Sequence, residues 1–281
     1  MAQETSQDAI TEDEIAGTAP PASSASSSRN AFTALMAPKR KASPSTTPEK
    51  AKKPYNKNTF SKRDGLDDYI LHPETYSSSR VIYYDSSFVA IHDLYPKSSV
   101  HTLLLPRSNH KQMHPFDAFS DPIFLSSVLE QVAKLRHIVA KELQRKYGPF
   151  SKQDIPREAV LNGEVPLPDN DELPVGRDWE KEVVAGVHAR PSMNHLHVHV
   201  LSVDRFSECL KHRKHYNSFA TDFFVPIEDF PLDKDDVRRH PGREGYLGSD
   251  MKCWRCGKNF GNKFVRLKEH LVEEFDAWKR E

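Results

Sequence analysis

Three histidines alternate with apolar residues between positions 195 and 201, in the sequence HLHVHVL. In a β-strand successive side chains point to opposite faces, so His195, His197 and His199 are expected on one face while the apolar residues between them enter a core. Imidazole titrates near neutral pH and can act as nucleophile, acid, base or metal ligand. The spacing therefore predicts a chemical site, and it leaves both catalysis and metal binding open.

A second group of chemically active residues lies near the C-terminus. Cys253 and Cys256 form a C-x-x-C pair, and His270 and Glu274 follow with the i, i+4 spacing of one helical face. Two thiolates, an imidazole and a carboxylate make a closed zinc site, which is expected to be structural because no coordination position stays open. Glu273 is the alternative fourth ligand.

Apolar periodicity and turn residues predict the elements that position these groups. Helices are expected at residues 61–71 and 122–147, and Ser120 or Asp121 can cap the second one. Residues 149–178 hold five prolines without apolar periodicity, and we expect an inserted surface loop there. Strands are predicted at residues 80–84, 88–91, 100–105, 182–188 and 195–201. This order of elements predicts an α+β fold.

The first part of the 281-residue chain differs in composition from the rest. Residues 1–58 are rich in small, polar and charged residues, and too little apolar surface remains to offset the entropy of ordering, so we predict a disordered tail. Its two basic clusters resemble a bipartite nuclear import signal, and a merely solvated charged tail is the alternative. No membrane-spanning or secretory segment is expected. Because the formal net charge is +0, only local patches can favour nucleic acid.

The histidine segment and its surroundings resemble the histidine triad family of nucleotide hydrolases and transferases. The resemblance rests on HLHVHVL (195–201), on the preceding GVHARPSM (186–193), and on DLYPK (93–97) followed by HTLLLP (101–106). Further along the chain, CLKHRKHYNSF (209–219) is similar to a segment of the aprataxin branch, which acts on adenylated DNA ends. The resemblance covers about residues 60–281.

The resemblance implies a histidine triad fold, an antiparallel sheet with helices, followed by a small ββα-like zinc module. It places the nucleophile on His197, which would attack the α-phosphorus of a nucleotide and form a covalent His-AMP intermediate. His195 and His199 would orient the nucleophile and contact phosphate oxygens, while His188 would stabilise the phosphate or the leaving group. The nucleotide-binding residues that it implies are Asp93 at the ribose, and His101, Ser192, Met193 and Lys214 at or near the phosphate. No metal is expected at the histidines, because imidazoles and Lys214 can supply the positive charge.

The same resemblance bears on zinc and DNA. Fungal members of the branch use two cysteines, one histidine and one glutamate, which favours Glu274 over Glu273. A helix near the start of the catalytic region would wedge against exposed base pairs, with Phe60 as the wedge residue. The other residues expected to contact DNA are Arg63, Lys97, Lys211, Arg213, Lys263 and Arg266.

These inferences predict a tail (1–58), a catalytic domain (59–219) and a C-terminal region with the zinc finger (220–281). The expected function is that of a nuclear hydrolase that removes 5′-AMP from adenylated nicked or double-stranded DNA, with 3′-guanosine caps as a second substrate. One alternative is a histidine triad hydrolase of free dinucleotides or nucleoside phosphoramidates, which would leave the zinc module and the basic clusters without a role. The other is a zinc-dependent DNA-binding adaptor with an inactive histidine site, although all four expected histidines are present.

Overall fold

The computed structural model describes residues 62–281. The predicted tail, its basic clusters and the wedge residue Phe60 lie outside the described residues. The α-helices of the described part are α1 Asp67–Leu71, α2 Pro115–Ala118, α3 Pro122–Tyr147, α4 Ile155–Leu161, α5 Arg213–Ala220, α6 Pro241–Glu244 and α7 Phe264–Trp278. The strands are β1 Val81–Tyr84, β2 Phe88–His92, β3 His101–Pro106, β4 Val183–His188, β5 Val198–Ser202, β6 Phe224–Pro226, β7 Met251–Lys252 and β8 Asn259–Gly261.

Six strands form one sheet in the order β1-β2-β3-β5-β4-β6, and all neighbouring pairs are antiparallel. Strands β3 and β5 are buried along their whole length because both faces of the sheet are covered. The predicted α+β class is confirmed, with β5, which carries His199, at the centre of the sheet.

The long helix α3 covers one face of the sheet. Asp121 caps it by accepting hydrogen bonds from the amides of Ile123 and Phe124, which satisfies two otherwise unpaired donors of the first turn. Its apolar stripe packs in the main core against Leu196, which precedes β5, and against inward residues of the strands such as Val198. The predicted helix at residues 122–147 is therefore confirmed to the residue.

The opposite face of the sheet is covered by the N-terminal segment. The predicted helix at residues 61–71 is divided into a 3₁₀ turn, Lys62–Asp64, and α1. Leu66 and Ile70 pack there on Ile91 and Leu103, which alternate in the strands with residues of the main core. This smaller apolar layer leaves room for a cavity between the segment and the sheet.

The zinc module is joined to the sheet by a shared core. Tyr216 of α5 is fully buried, and its hydroxyl donates to the carbonyl of Lys252 and accepts from the amide of Trp254. Strand β6 pairs with β4, so the main sheet includes residues beyond the predicted boundary at 219.

The predicted surface loop at 149–178 contains more structure than expected. Helix α4 lies within it, and Asp154, immediately before α4, is completely buried. Apolar periodicity could not predict this structure, because Asp154, which holds the insertion in place, is polar. Among the described residues, no helix is both long enough and apolar enough to cross a membrane.

Candidate active site and metal centre

A cavity of about 240 Å³ opens between the N-terminal segment and the sheet. Seven of its lining residues were predicted as site residues: Asp93, Lys97, His188, Ser192, Met193, His197 and His199. Other lining residues were not predicted: Tyr69, Arg80, Arg190, His215, Ser218 and Phe219. The cavity joins an apolar chamber beside Ile91 and Leu103 to an end rich in imidazole.

The three alternating histidines lie on the side of the sheet that the N-terminal segment covers, while Leu196, Val198 and Val200 between them enter the main core, as predicted. His199 lies in β5, and His195 and His197 precede that strand. His197 and His199 line the cavity, with ring centroids 4.9 Å apart. His195 is not among the lining residues; its Nε2 lies 3.1 Å from Asp67 Oδ1.

His197 is oriented by the backbone of its neighbour. Its Nδ1 lies 2.8 Å from the carbonyl oxygen of His195, which can only accept a hydrogen bond. Nδ1 therefore carries the proton in the neutral ring, and Nε2 keeps an unshared electron pair. The site thus holds an imidazole in the tautomer that a nucleophile requires.

A chain of hydrogen bonds fixes the neighbouring imidazoles. The amide of Lys97 donates to His101 Nδ1 at 3.0 Å, so the proton of His101 is on Nε2. That nitrogen lies 2.9 Å from His199 Nδ1, which must accept, and the proton of His199 is therefore on its Nε2. His199 Nε2 has no hydrogen-bond partner among residues 62–281. The chain thus presents a preorganised donor beside His197.

Burial keeps these histidines neutral. It lowers the pKa of His197 and holds the pKa of His188 and His199 well below its usual value. For His101 burial lowers the pKa to about 4, although the nearby Asp93 carboxylate acts in the opposite direction. Neutral imidazoles at pH 7 are required both for a nucleophile and for a donor with a fixed tautomer.

This burial predicts a loss of folding stability in mild acid. His101 accepts a proton near pH 6.5 when unfolded but only near pH 4 when folded, so unfolding takes up protons in this window and stability falls as pH falls. His101 alone should lower the free energy of unfolding by about 2 kcal/mol between about pH 7 and pH 5. Urea unfolding at several pH values measures this, and H101Q should flatten the profile. An unchanged profile in H101Q would contradict the prediction.

The predicted DNA contacts lie in different environments. Lys97 is buried in the cavity wall, where its ammonium donates to the carbonyl of Tyr95 at 2.5 Å. Arg63 donates from Nε to the carbonyl of Ser192 at 2.9 Å, at the edge of the cavity. Lys211, Lys263 and Arg266 are exposed, and Arg213 and Lys214 of α5 are partly exposed and are not among the cavity-lining residues.

Helix α5 contributes cavity residues that the sequence reading missed. His215 and Phe219 lie at i and i+4 on its buried face, and the Phe219 ring contacts both His188 and His199. Burial lowers the pKa of His215 to about 2. Residues 211–215 form one run of basic residues in the sequence, and only their helical spacing separates the buried His215 from its more exposed neighbours.

The four predicted zinc ligands converge at one point. The ligand atoms of Cys253, Cys256, His270 and Glu274 all lie within 4.8 Å of one another. Cys256 Sγ is 3.2 Å from His270 Nε2, which is 3.0 Å from Glu274 Oε1. Tetrahedral zinc with bonds of about 2.0–2.3 Å requires ligand separations of roughly this size. The residues therefore fit the metal.

The fourth position is resolved by the surroundings of the two glutamates. Arg255 donates to Glu274 Oε2 at 2.7 Å, which leaves Oε1 directed at the other ligands. Glu273 is exposed, and its carboxylate lies 3.9 Å from His270 Nδ1, the ring nitrogen directed away from the ligand cluster. The carboxylate available to a metal is that of Glu274.

A second set of potential metal ligands lies beside the histidines. Asp93, His101 and His199 place their ligand atoms within 4.8 Å of one another. However, His101 Nε2 and His199 Nδ1 are hydrogen-bonded to each other, and a shared metal would have to replace that bond. The arrangement favours the hydrogen-bonded chain.

Comparisons with known proteins match both the region of the histidines and the region of the zinc module. A family model described as "HIT domain" matches residues 74–206, and another described as "C2HE / C2H2 / C2HC zinc-binding finger" matches residues 220–277. The chain is 36% identical to the aprataxin-like protein of Schizosaccharomyces pombe, covering 80% of this chain and 86% of the relative. It is 34% identical to the aprataxin-like protein of Saccharomyces cerevisiae, covering 76% and 96%. A solved structure described as "Hnt3 in complex with DNA and guanosine" is similar with a TM-score of 0.59 and 33% identity, covering 77% of this chain and 96% of that one.

Proposed function

Because this chain belongs to the aprataxin-like proteins of the histidine triad family, we propose that it is a DNA-repair hydrolase that releases AMP from 5′-adenylated DNA ends. The observation that carries this proposal is the neutral His197, whose free Nε2 stands at a nucleotide-sized cavity. The solved relative in complex with DNA and guanosine supports DNA as the substrate.

In the first step, His197 Nε2 attacks the α-phosphorus of the adenylate. The P–N bond forms as the anhydride P–O bond breaks, and the DNA leaves with its own 5′-phosphate. Water then attacks the same phosphorus and releases AMP, and His197 returns to its neutral form. The hydrogen bond from Nδ1 to the carbonyl of His195 stabilises the positive charge that develops on the ring.

The surrounding donors act on the phosphate oxygens. His199 offers Nε2–H through its fixed tautomer, and His188 lies beside it, with the two ring centroids 4.6 Å apart. Lys97 supplies a buried positive charge at the same end of the cavity, and Ser192 supplies a hydroxyl. Lys214 would have to approach from α5 when substrate binds. Donors held in a water-poor site stabilise phosphate charge more than they would in water.

The other end of the cavity suits a nucleoside. Leu66, Ile91 and Leu103 form an apolar wall of a kind that a base can pack against. Asp93 lies between this wall and the histidines, and part of its carboxylate is exposed, so it can accept hydrogen bonds from ribose hydroxyls. Guanosine in the solved relative favours 3′-guanosine caps as a second substrate of the same cavity.

DNA would reach the cavity along exposed basic residues. The amide of Lys211 donates to His215 Nδ1, which ties the segment of Lys211 and Arg213 to a cavity residue. On the zinc module, Lys263 and Arg266 are exposed at the start of α7. Such contacts to phosphates bind without reading sequence. Because the proposed substrate is DNA, we also propose that the protein acts in the nucleus. Phe60 stays a predicted wedge residue.

Zinc would be held by Cys253, Cys256, His270 and Glu274, and its role would be structural. When bound, its coordination bonds would join the β7–β8 hairpin to α7. The chemistry at His197 is proposed to need no metal, because hydrogen-bond donors and Lys97 already supply the positive field.

One assay separates this proposal from its alternatives. The protein is incubated with a nicked duplex that carries a 5′-adenylate and, in parallel, with free diadenosine polyphosphate. We expect AMP release to prefer the duplex, and kcat/KM for the duplex should fall roughly ten- to 150-fold between about 50 and 200 mM salt for two to four phosphate contacts. Preference for the free dinucleotide would support the first alternative. Tight duplex binding without any AMP release would support the inactive adaptor.

A further inference from the structure

Residues 149–178 have no role in the proposed reaction, yet both ends of this insertion are fastened to other parts of the molecule. At its start, the amides of Lys152 and Gln153 donate to the carbonyls of Arg280 and Glu281 at 3.1 and 3.2 Å. Between its ends the insertion exposes apolar residues such as Leu161 and Val175. The contacts that matter are therefore at the base of the insertion, against the end of the zinc module.

Asp154 closes the base of the insertion. This carboxylate is completely buried, and Oδ1 accepts the amide of Arg177 at 3.0 Å while Oδ2 accepts the indole Nε1 of Trp179 at 2.8 Å. A buried carboxylate is tolerated only when such partners replace its lost hydration. Gly176 is needed beside it, because a Cβ at that position would lie 2.0 Å from Asp154 Oδ1.

Arg177 connects three parts of the protein. Its guanidinium carbon lies 4.5 Å from the ring centroid of Trp179 and 5.1 Å from that of Trp278, the last residue of α7. Nη1 donates to the carbonyl of Trp278 at 2.6 Å, and Nη2 lies 2.8 Å from Oε1 of Glu182, the residue before β4. A planar guanidinium can stack on indole rings and form several directed hydrogen bonds at once, which lysine cannot.

The indole of Trp278 completes the arrangement. Its Nε1 donates to Glu182 Oε2 at 2.6 Å, and its ring is almost fully buried in the main core. Glu182 thus binds Arg177 with one oxygen and Trp278 with the other. The C-terminal end of the zinc-module helix is thereby held against the sheet by a buried, directional set of bonds.

We propose that Arg177 is a positioning residue, which clamps the zinc module at the orientation in which its basic face and the cavity engage the same DNA end. Neither Arg177 nor Asp154, Glu182 or Trp278 lines the cavity, so the clamp should not affect bond making. Its loss should weaken the use of long DNA substrates only. This proposal rests on the proposed DNA substrate.

The test uses full-length variants with matched chemistry. Arg177→Met removes the clamp at similar side-chain volume, and Arg177→Lys keeps the charge without the planar stack. Gly176→Ala displaces Asp154 and disturbs the clamp from a second direction. Arg157→Met is the control, because Arg157 lies in the same insertion and donates at 3.4 Å to the carbonyl of Pro174, which is also in the insertion.

Each variant is assayed on two substrates, and its hydrogen exchange is measured. For Arg177→Met we expect KM for an adenylated nicked duplex to rise about tenfold, or about 1.4 kcal/mol of binding free energy, with kcat nearly unchanged. For a small adenosine phosphoramidate both constants should stay within about twofold of wild type. Hydrogen exchange should increase in residues 264–278 and not in β5. Arg177→Lys should be intermediate, Gly176→Ala should resemble Arg177→Met, and Arg157→Met should resemble wild type.

Other results would overturn the inference. Unchanged exchange in residues 264–278 of Arg177→Met, or an equal loss on both substrates, would show that Arg177 does not position the module. If the wild-type protein released no AMP from the duplex, the proposed function would fail, and the exchange measurement alone would decide whether the clamp exists.

Discussion

Replacing His197 with alanine is expected to reduce AMP release from an adenylated nicked duplex by at least about a thousandfold. The reason is that the variant lacks the cavity imidazole whose Nδ1 is held by the carbonyl of His195 and whose Nε2 is therefore unprotonated. DNA binding should stay within about twofold of wild type, because His197 is buried and contributes little contact area. Single-turnover assays with labelled adenylate measure the first quantity, and fluorescence anisotropy the second.

The covalent step can be observed directly. Wild-type protein denatured at alkaline pH during turnover should carry labelled AMP, since phosphoramidates survive there, and H197A should carry none. His195→Ala is the matched comparison, because it keeps the carbonyl that orients His197 and removes a ring outside the cavity lining, so its loss should be below about tenfold. Labelled protein in H197A, or an equally large loss in H195A, would contradict the assignment.

The sequence predicted those features that depend on local spacing. Helix α3 is defined by its own apolar stripe and by Asp121 and Pro122 at its start, so its bounds agree with the structure. The convergence of the four zinc ligands also depends on short-range geometry. Cys253 and Cys256 lie in one turn, and His270 and Glu274 lie one helical turn apart. Membership of the histidine triad family followed from motifs in the same way and is confirmed.

The features that were missed depend on contacts between distant segments. Alternation of side chains placed the three histidines on one side, but it could not reveal that His195 pairs with Asp67 outside the cavity lining while His197 and His199 line the cavity. Lys97 was predicted as a DNA contact, and only tertiary packing could reveal that it is buried in the cavity wall. Asp154 and Arg177 are polar, so no hydrophobic pattern could reveal that the insertion has a buried base.

The two sites divide the chemistry in a way that residue types alone could not decide. The histidines of the cavity are satisfied by one another and by backbone groups, in a chain from the Lys97 amide through His101 to His199. The residues of the zinc module offer thiolates and a carboxylate held by Arg255, which is an arrangement for a metal. The HLHVHVL pattern alone allowed both metal binding and nucleophilic catalysis. We propose nucleophilic catalysis for the cavity and metal binding for the zinc module.

The metal centre gives the second prediction with a large expected effect. Glu274→Ala should weaken zinc binding by at least about a hundredfold, because it removes a direct ligand, whereas outer-sphere partners alone typically contribute about ten- to a hundredfold. Arg255→Met, which frees the Glu274 carboxylate, should fall within that outer-sphere range. Glu273→Ala is the control, since its side chain is 84% exposed and lies on the far side of His270.

Zinc stoichiometry, measured by mass spectrometry after dialysis against a competing chelator, distinguishes these variants without reference to activity. We expect the order wild type and E273A, then R255M, then E274A, with E274A losing its metal first because only two thiolates and an imidazole remain. Loss of zinc from E273A with retention in E274A would reassign the fourth ligand. Because α7 ends in the main core at Trp278, zinc loss should disorder the β7–β8 hairpin and the start of the helix first. As zinc is removed, we therefore expect duplex binding to be lost before AMP release from small adenylates.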